Sequence, residues 1–325
     1  MLSSLLNLMS DGRFHSGEAL GAALGVSRAA VWKVLSPLEE QGFPIQRVRG
    51  KGYRIPRGAV LLDASAIKAA LPSACVDYWS WHVYKELDST NAEAQRLMVS
   101  GGQRPLVCVS EQQTAGRGRR GRAWVSPFAQ NIYMSITEPF ETGAQGLEGL
   151  SLVVGIVLVE TLEACGYQGA ELKWPNDVLI EGKKVAGILI EIVGDLTSDC
   201  VVVIGVGVNV LMRETAVDPI NQAWTSLILS SNSAELNRNV LIATFAENLL
   251  RAVQLFRQRG FEPFISGWQQ RDAWFGHLVD VISGSNIISG EHCGVNERGA
   301  LKLKTVDGVK LASGGEVSLR KHNAS

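Results

Sequence analysis

The stretch QTAGRGRRGR, from Gln113 to Arg122, places four arginines among three glycines in a chain that is 46% hydrophobic. Glycine lets a backbone approach a ligand closely, and the arginine guanidinium offers a planar fork of donors to carboxylate and phosphate oxygens. The stretch therefore predicts a loop that closes over a phosphorylated small molecule. Two other interpretations stay open at this point: a solvated basic turn, and an arginine-glycine segment that binds nucleic acid.

The sequence around this loop mixes predicted strands and helices, as in an α/β (α+β) domain. A long apolar core helix is predicted from Leu147 to Cys165. Short apolar runs without helical spacing predict buried strands. These runs lie at residues 107–109, 132–136, 185–192 and 201–210. We expect a central domain built on a mixed sheet.

Two polar clusters adjoin these elements. Asp88-Ser89-Thr90-Asn91 precedes a predicted helix, so Asp88 or Ser89 is expected to be its N-cap unless the cluster binds a ligand. Lys173-Trp174-Pro175-Asn176-Asp177 follows a short predicted strand, and its proline makes it a turn. A lysine and a carboxylate around a rigid turn can orient a nucleotide or a Mg²⁺ ion. An ordinary surface turn is the alternative.

Two predicted strands carry residues that a purely structural strand would not need. Lys184 lies in the run from Lys183 to Glu191, where a charge is costly unless an anion meets it. Gly205 and Gly207 interrupt the next strand, and Asn209 ends it. Glycine weakens strands, so it often marks the place where a ligand lies against the sheet.

The N-terminal segment predicts a helix-turn-helix. One amphipathic helix opens the chain, a second runs from about Ser16 to Leu24, and a third begins near Ser27, a good N-cap. Gly25 and Val26 leave room only for a tight turn between the last two. Pro37 falls inside the third helix, which it is expected to kink or shorten.

A basic hairpin follows, IQRVRGKGYRI from Ile45 to Ile55, whose Gly-Lys-Gly tip is typical of the wing of a winged helix. Residues 1–57 hold eight basic and four acidic residues, a net charge of +4, whereas the remainder holds 23 basic and 28 acidic residues. This asymmetry favours DNA as the partner of the first segment. A three-helix interaction module with a solvated hairpin is the alternative. The expected DNA-binding residues are Ser27, Arg28, Lys33, Arg47, Arg49 and Lys51.

The C-terminal part predicts a small β module from about Gly276. Its clearest strands are at residues 278–282, 301–306 and 309–311, and Asp307-Gly308 predicts a tight hairpin between the last two. We expect an SH3-like barrel that packs on the central domain.

The remaining composition narrows the class of protein. Five widely spaced cysteines without a C-x-x-C pair predict neither a disulfide framework nor a zinc site, as expected in a reducing cytosol. The N-terminus lacks the basic region of a signal peptide. The longest apolar stretch, Leu152 to Val159, is too short to span a bilayer. We expect a cytoplasmic protein with no membrane partner.

Five motifs occur in the order D-S-T-N, G-R-G-R-R-G-R, K-W-P-N-D, K-x-A-G-I-L-x-E and G-x-G-x-N, and together they resemble those of the biotin–protein ligases. With the winged helix in front, the chain resembles the bifunctional bacterial form, in which the ligase is also the biotin operon repressor. The resemblance spans nearly the whole chain. It implies a winged helix-turn-helix domain over 1–60, a catalytic domain over 66–270 and an SH3-like domain over 271–325.

The resemblance implies a two-step reaction with biotin and Mg²⁺-ATP as substrates. The biotin carboxylate attacks the α-phosphate to give biotinyl-5′-adenylate, and a lysine of the biotin carboxyl carrier protein then displaces AMP. Adenylation itself activates the acyl group, so the site needs no Cys nucleophile or Ser-His pair. It needs positive charge where the two anions meet and a cover against water. No structural metal site is expected, because the Mg²⁺ comes with ATP.

The resemblance also assigns roles to residues of the matching motifs. Lys184, Arg119 and Asp177 are the expected catalytic residues, with Lys184 and Arg119 at the biotin carboxylate and the α-phosphate. The expected biotin-binding residues are Ser89, Thr90, Asn91, Gln113, Gly116, Arg117, Gly118, Arg119, Lys184, Gly187 and Gly205. The expected ATP- or adenylate-binding residues are Arg117, Arg119, Arg122, Trp124, Lys173, Asn176, Lys184 and Asn209.

Regulation follows from joining these parts. Adenylate is expected to order the loop around residues 113–125 and so to complete a homodimer surface. A dimer pairs two winged helices on a two-fold operator. We therefore expect the adenylate-bound dimer to repress the biotin biosynthesis genes and the monomer to biotinylate the carrier protein. The alternatives are a lipoate-protein ligase, a transcription factor that only senses biotin, and an RNA-binding protein that uses residues 116–122.

Overall fold

The structure is a computed structural model that describes residues 1–101, 105–141, 143–194, 199–213, 220–230, 236–314 and 317–322. The N-terminal segment forms the predicted winged helix. Its elements are α1 (Leu2–Met9), α2 (Gly17–Leu24), α3 (Arg28–Glu40), β1 (Gln46–Val48) and β2 (Gly52–Arg54).

Local capping explains where the second and third helices begin. The Ser16 hydroxyl accepts a hydrogen bond from the backbone N–H of Ala19, and the Ser27 hydroxyl accepts one from Ala30. Gly25 ends α2 at φ +68°, a left-handed conformation that glycine adopts without strain. The predicted helix-turn-helix is confirmed.

Pro37 does not shorten α3, which continues for three residues beyond it. The expectation was wrong on this point. The proline removes one backbone hydrogen bond near the end of the helix. Leu35 and Leu38, on either side of it, are both buried in the core, and this packing holds the last turn in place.

The wing is the hairpin of β1 and β2, with Val48 opposite Gly52. Its tip carries Arg49 and Lys51, which are both exposed. Two backbone hydrogen bonds of 2.9 Å between His15 and Tyr53 tie the wing to the segment that precedes α2. The predicted basic hairpin is therefore confirmed.

The central part is a seven-stranded mixed sheet in the order β3-β4-β5-β9-β8-β7-β6. β3 and β4 run parallel, and all other neighbours run antiparallel. Its elements are α4 (Ala64–Ala69), α5 (Ser73–Val76), β3 (Ser80–Tyr84), α6 (Thr90–Val99), β4 (Leu106–Ser110), β5 (Ile132–Phe140), α7 (Leu150–Ala164), β6 (Ala170–Lys173), β7 (Asp177–Ile180), β8 (Lys183–Gly194), β9 (Cys200–Val208), α8 (Leu227–Ser230), α9 (Arg238–Arg259) and α10 (Ile265–Gln269).

Helix α7 is apolar around nearly its whole circumference, as a helix buried on all sides requires, and it packs between the sheet and α9. It matches the predicted core helix, and the four predicted strands are also present. The 22-residue helix α9 was not predicted. Phe245, Leu249 and Phe256 lie on its buried face, at a spacing that indicates an amphipathic helix.

The C-terminal part is a five-stranded antiparallel sheet in the order β13-β12-β11-β10-β14. Its strands are β10 (Leu278–Ser283), β11 (Asn286–Val295), β12 (Leu301–Thr305), β13 (Gly308–Ala312) and β14 (Val317–Lys321). This arrangement fits the predicted SH3-like module, although β11 and β14 were not predicted. Thr305 pairs with Gly308, so the hairpin turn is Val306-Asp307 rather than Asp307-Gly308.

The five cysteines are unpaired. In the described ranges, no group of three or more His, Cys, Asp or Glu residues could hold a metal ion. None of the helices described is both long and apolar enough to cross a bilayer.

Candidate functional site

A first cavity of about 50 Å³ lies on the central sheet, between the N-terminal end of α6 and the arginine-glycine loop. Most of the residues expected to bind biotin line it. Its walls are Ser89, Thr90, Asn91, Gln113, Arg117, Gly118, Arg119, Trp124, Tyr133, Met134, Asn176, Lys184, Gly187, Ile188, Leu189, Gly205, Val206 and Gly207. Strands β5, β8 and β9 form its floor, so residues far apart in sequence meet there.

One end of the first cavity is a buried network of neutral hydrogen-bonding groups. The Ser135 hydroxyl, on β5, lies 2.8 Å from Thr90 Oγ1 and 2.5 Å from Asn91 Oδ1. Gln113 Oε1 accepts a hydrogen bond from the backbone N–H of Thr90. Ser89 occupies the N-cap position of α6, but its hydroxyl makes no capping bond. The cluster is therefore both a helix start and a set of polar groups that faces the cavity.

Asp88 anchors this cluster from outside the cavity. Its two carboxylate oxygens accept hydrogen bonds of 2.7 and 2.9 Å from the guanidinium of Arg96, which lies eight residues further along the chain, on α6. Asp88 also accepts a bond from the backbone N–H of Ser89. The Arg96 bond lowers the pKa of Asp88 to about 2.

Two glycines of β9 allow neighbours to lie directly on the sheet. A Cβ at Gly205 would overlap the Asn91 amide, and a Cβ at Gly207 would lie 2.6 Å from the Trp124 indole. The close approach to the backbone that was predicted at these glycines is present, but it is made by Asn91 and Trp124 of the same chain. Trp124 Nε1 is buried and has no hydrogen-bond partner within the described part of the chain, which leaves a donor at the cavity.

Residues 116–124, which we call the flap, form a small hairpin rather than an irregular loop. Arg117 pairs with Ala123 across it, and the backbone N–H of Gly118 donates to the carbonyl of Arg122 at 2.7 Å. Arg120 sits at the tip with φ +59°, a conformation that is uncommon for residues other than glycine. Because of this hairpin, the arginine side chains of the flap contact different residues.

Three arginines of the flap contact residues outside it. Arg117 lies 3.2 Å from the carboxylate of Glu191 on β8. Arg119 donates to the Asn176 side chain at 2.8 Å and to the backbone carbonyl of Val317 at 3.3 Å. Arg120 donates to the hydroxyl of Ser318 on β14, in the C-terminal sheet. The flap is therefore attached to the central sheet and to the C-terminal module at the same time.

Two lysines face the cavity region from strands of the central sheet. Lys184 Nζ lies 2.7 Å from Asp177 Oδ1 and 5.3 Å from the centre of the Trp124 ring. Lys173 Nζ lies 4.4 Å above the ring of Trp274. Burial lowers the pKa of Lys173, and the nearby Asp177 opposes that effect. The charge predicted at Lys184 thus meets a carboxylate and an aromatic face.

A second, larger cavity of about 740 Å³ continues from the first, beyond Arg119 and Lys184. Six of the residues that line it are cationic and one, Asp177, is acidic, a balance that suits an anionic ligand of nucleotide size. The cationic residues are Arg119, Arg120, Arg122, Lys173, Lys184 and Arg320. Arg320, on β14, was missed in the sequence because it lies nearly 200 residues from the flap.

Two expected site residues lie outside both cavities as described. Gly116 packs against the Trp124 carbonyl and the Ser126 hydroxyl, at the base of the flap. Asn209 is buried, and its amide donates to the carbonyl of Thr225 at 3.0 Å. Their assignment to biotin and to the nucleotide stays a prediction. Ser135 and Glu191 contact the site but were not assigned a role, although Glu191 closes the K-x-A-G-I-L-x-E motif.

The six residues expected to bind DNA are all exposed on the winged helix. Arg28 lies 3.2 Å from Glu18 in an exposed ion pair, and Arg47 lies over the ring of Tyr53. Trp32 was missed: it is 44% exposed on α3, next to Lys33 and one turn beyond Arg28. A large exposed aromatic side chain on this basic helix face belongs with the candidate DNA-binding surface.

Comparison with known proteins matches these features. Residues 83–209 match the Biotin/lipoate A/B protein ligase family, and residues 2–54 match an HTH domain. The Bifunctional ligase/repressor BirA of Salmonella typhimurium is 41% identical over 98% of this chain and 97% of its own. That of Escherichia coli is 39% identical over 97% and 96%. A biotin protein ligase from Aquifex aeolicus, solved in complex with biotin and ATP, covers 75% of this chain and 99% of its own, with 30% identity and a TM-score of 0.64.

The chain is thus a member of the biotin protein ligases. Within that class, it belongs to the family of bifunctional ligase/repressors typified by BirA, which it matches over nearly its whole length. The resemblance inferred from the five motifs is confirmed.

Proposed function

We propose that this chain is an ATP-dependent biotin–protein ligase and a biotin-responsive transcriptional repressor. The observation that carries the ligase function is the position of Arg119 and Lys184, which line both the small polar cavity and the large cationic one. A carboxylate bound in the first cavity and a phosphate bound in the second would meet at these two cations. That is where an acyl–adenylate bond has to form.

Biotin and Mg²⁺-ATP are the substrates of the first step. A carboxylate oxygen of biotin attacks the α-phosphorus of ATP, the bond to the bridging oxygen of the pyrophosphate breaks, and Mg²⁺-pyrophosphate leaves. Lys184 and Arg119 offset the charge of the two anions as they approach. Asp177, 2.7 Å from Lys184, holds that ammonium at the junction of the cavities.

The second step transfers the acyl group to the biotin carboxyl carrier protein. The amine of a carrier lysine attacks the acyl carbon, the bond to the phosphate oxygen breaks, and the amine loses a proton as AMP leaves. A mixed anhydride is open to hydrolysis, so it has to be shielded from water between the steps. The flap hairpin lies between the two cavities and supplies that cover.

We propose the following contacts for the two substrates. The neutral groups of Ser89, Thr90, Asn91 and Gln113 bind the ureido end of biotin, and the segment Arg117-Gly118-Arg119 closes over it. Gly116, Gly187 and Gly205 let Gln113, Trp124 and Asn91 lie close to the backbone around the biotin rings. Arg117, Arg119, Arg122, Trp124, Lys173, Asn176, Lys184 and Asn209 contact ATP or the adenylate. Trp124 has a buried indole N–H to offer to that ligand.

One experiment tests the ligase function directly. The purified chain is incubated with biotin, Mg²⁺-ATP and a purified carrier domain, and the products are analysed by mass spectrometry. We expect biotinyl-5′-AMP without the carrier domain and one biotinyl group on the carrier when it is present. A parallel reaction with lipoate should yield no acylated carrier. Absence of the adenylate would overturn the proposal.

The repressor function is carried by the exposed basic surface of the winged helix. Ser27, Arg28, Lys33, Arg47, Arg49 and Lys51 contact the operator DNA of the biotin biosynthesis genes. We place residues 1–60 in this DNA-binding domain, 66–270 in the ligase domain and 271–325 in the SH3-like domain of a cytoplasmic protein. Adenylate favours a homodimer that pairs two winged helices on one operator.

Sedimentation velocity with and without biotinyl-AMP tests this coupling. We expect a larger dimer fraction with adenylate, and tighter operator binding over the same range of adenylate concentration. If DNA binding rose while the monomer fraction stayed constant, dimerisation would not be what couples adenylate binding to DNA binding. If DNA binding responded to biotin but no carrier were ever labelled, the chain would be a sensor rather than a ligase.

A further inference from the structure

We propose that Glu191 is a positioning residue that joins the biotin end of the site to the flap. Its carboxylate binds both Asn91, in the polar end of the first cavity, and Arg117, in the first strand of the flap. The role rests on the proposed ligase function, because the cavity is identified there as the biotin site. The consequence is that flap closure and the orientation of Asn91 depend on one side chain.

The two bonds to Glu191 share a single oxygen. Oε2 accepts from Asn91 Nδ2 at 2.7 Å and from Arg117 Nη2 at 3.2 Å. Glu191 lies on β8 opposite Val203 of β9, so the central sheet fixes its backbone. Its side chain is 26% exposed, whereas that of Arg117 is 45% exposed. The strand therefore provides the more buried partner of the pair, and the flap provides the more exposed one.

The surroundings of Asn91 fix which way its amide points. Ser135 lies 2.5 Å from Asn91 Oδ1, and the missing Cβ of Gly205 leaves the space in which the amide packs. An ionised carboxylate only accepts hydrogen bonds, so the amide nitrogen has to point at Glu191. This leaves the face of Asn91 toward the cavity in one defined orientation, ready for a ligand.

The flap is attached at two places of different kind. Arg119 and Arg120 hold its tip to Asn176, at the junction of the two cavities, and to Ser318 of the C-terminal sheet. Arg117 joins the flap to the polar end of the first cavity, through Glu191. Loss of the Glu191 charge therefore releases the biotin side of the flap and leaves the contacts at the tip intact.

The test is the variant Glu191→Gln, since a Gln oxygen still accepts a hydrogen bond from Asn91 but carries no charge for Arg117. We expect biotinyl-AMP to dissociate about two- to fivefold faster, the size of effect that a partly exposed ion pair can have. Trypsin should also cleave the arginine-rich flap faster in the adenylate complex. Glu191→Ala removes both bonds, so it should in addition raise the KM for biotin. Glu171→Gln, which removes an exposed carboxylate from the same sheet, is the matched control.

A double-mutant cycle with Arg117→Gln separates positioning from general stability. If the two side chains act as a pair, the double variant should release adenylate no faster than the worse single variant. Fully additive effects, or adenylate release by Glu191→Gln at the wild-type rate, would overturn the proposal. Failure of the proposed function would look different, because then the wild-type chain itself would form no adenylate.

Discussion

The guanidinium of Arg238 lies 2.6 Å from the carboxylate of Glu111, and both side chains are almost completely buried. Arg238 also donates to the carbonyl of Val60, and Glu111 accepts from the backbone N–H of Leu62. The pair thus holds the segment that connects the winged helix to the ligase part. Glu111 lies only two residues before Gln113, which accepts a hydrogen bond from Thr90 in the first cavity. The linker and the cavity are therefore both attached to the short segment that follows β4.

Breaking this pair on one side should destabilise the protein severely. Glu111→Ala leaves the Arg238 charge buried and unpaired, and we expect the free energy of unfolding to fall by about 3–5 kcal/mol. Urea denaturation measures the loss. Arg251→Gln on the same helix is the control, because that side chain is 69% exposed, and it should change stability by less than about 1 kcal/mol. Equal effects of the two substitutions would refute the argument.

Local patterns predicted much of this fold, because helix caps and apolar periodicity act over a few residues. Ser16 and Ser27 marked two helix starts that the structure confirms. Strand β11 escaped prediction because glycine, serine and charged residues interrupt its apolar pattern. The contact between Glu111 and Arg238 joins residues 127 positions apart, and no local pattern reveals such a pair. The sheet order that produces it is a tertiary property.

The candidate site shows the same division. The motifs identified Arg119 and Lys184, which do line the shared boundary of the two cavities. Ser135 and Arg320 were missed, since each sits in a strand with no distinguishing neighbours and reaches the site only through the pairing of its sheet. Family motifs find residues with unusual local composition, but they do not find the ordinary serine or arginine that folding brings beside them.

Lys184 and its neighbour Lys183 offer a matched test of the proposed chemistry. Lys183 is exposed at the start of β8, whereas Lys184 lies between Asp177 and Trp124 at the cavities. A hydrogen bond to a charged group contributes about 1.5–3 kcal/mol, so Lys184→Gln should slow adenylate formation roughly ten- to a hundredfold. Lys183→Gln should react at nearly the wild-type rate. Single-turnover formation of biotinyl-AMP gives both rates, and similar rates for the two variants would exclude the assigned role.

The bond between Asp88 and Arg96 should make stability depend on acid pH. The pKa of Asp88 is lowered to about 2 in the folded chain, against about 3.9 for an ordinary aspartate. The unfolded state therefore takes up the proton first as the pH falls. The stabilisation is complete above about pH 4 and is lost as the pH falls through about 2. In urea melts, the stability difference between the wild type and Asp88→Asn should shrink over that interval; a constant difference would contradict the bond.

Trp32 on α3 should contribute to DNA recognition through apolar contact rather than charge. It lies between Arg28 and Lys33 on the exposed helix face, where a recognition helix meets the major groove. The methyl group of thymine is the apolar feature of that groove. Trp32→Ala should weaken binding to a selected operator about five- to a hundredfold, as expected when recognition of one base pair is lost at a cost of about 1–3 kcal/mol.

Replacement of single thymines by uracil in that operator separates base recognition from general affinity. Removal of one methyl group should weaken wild-type binding at the position that Trp32 contacts and leave binding by Trp32→Ala unchanged there. Leu8→Ala, which removes another exposed apolar side chain of the winged helix, is the control and should behave as the wild type. If Trp32→Ala weakened binding to random duplexes as much as to the operator, Trp32 would support the DNA backbone contacts and not read a base.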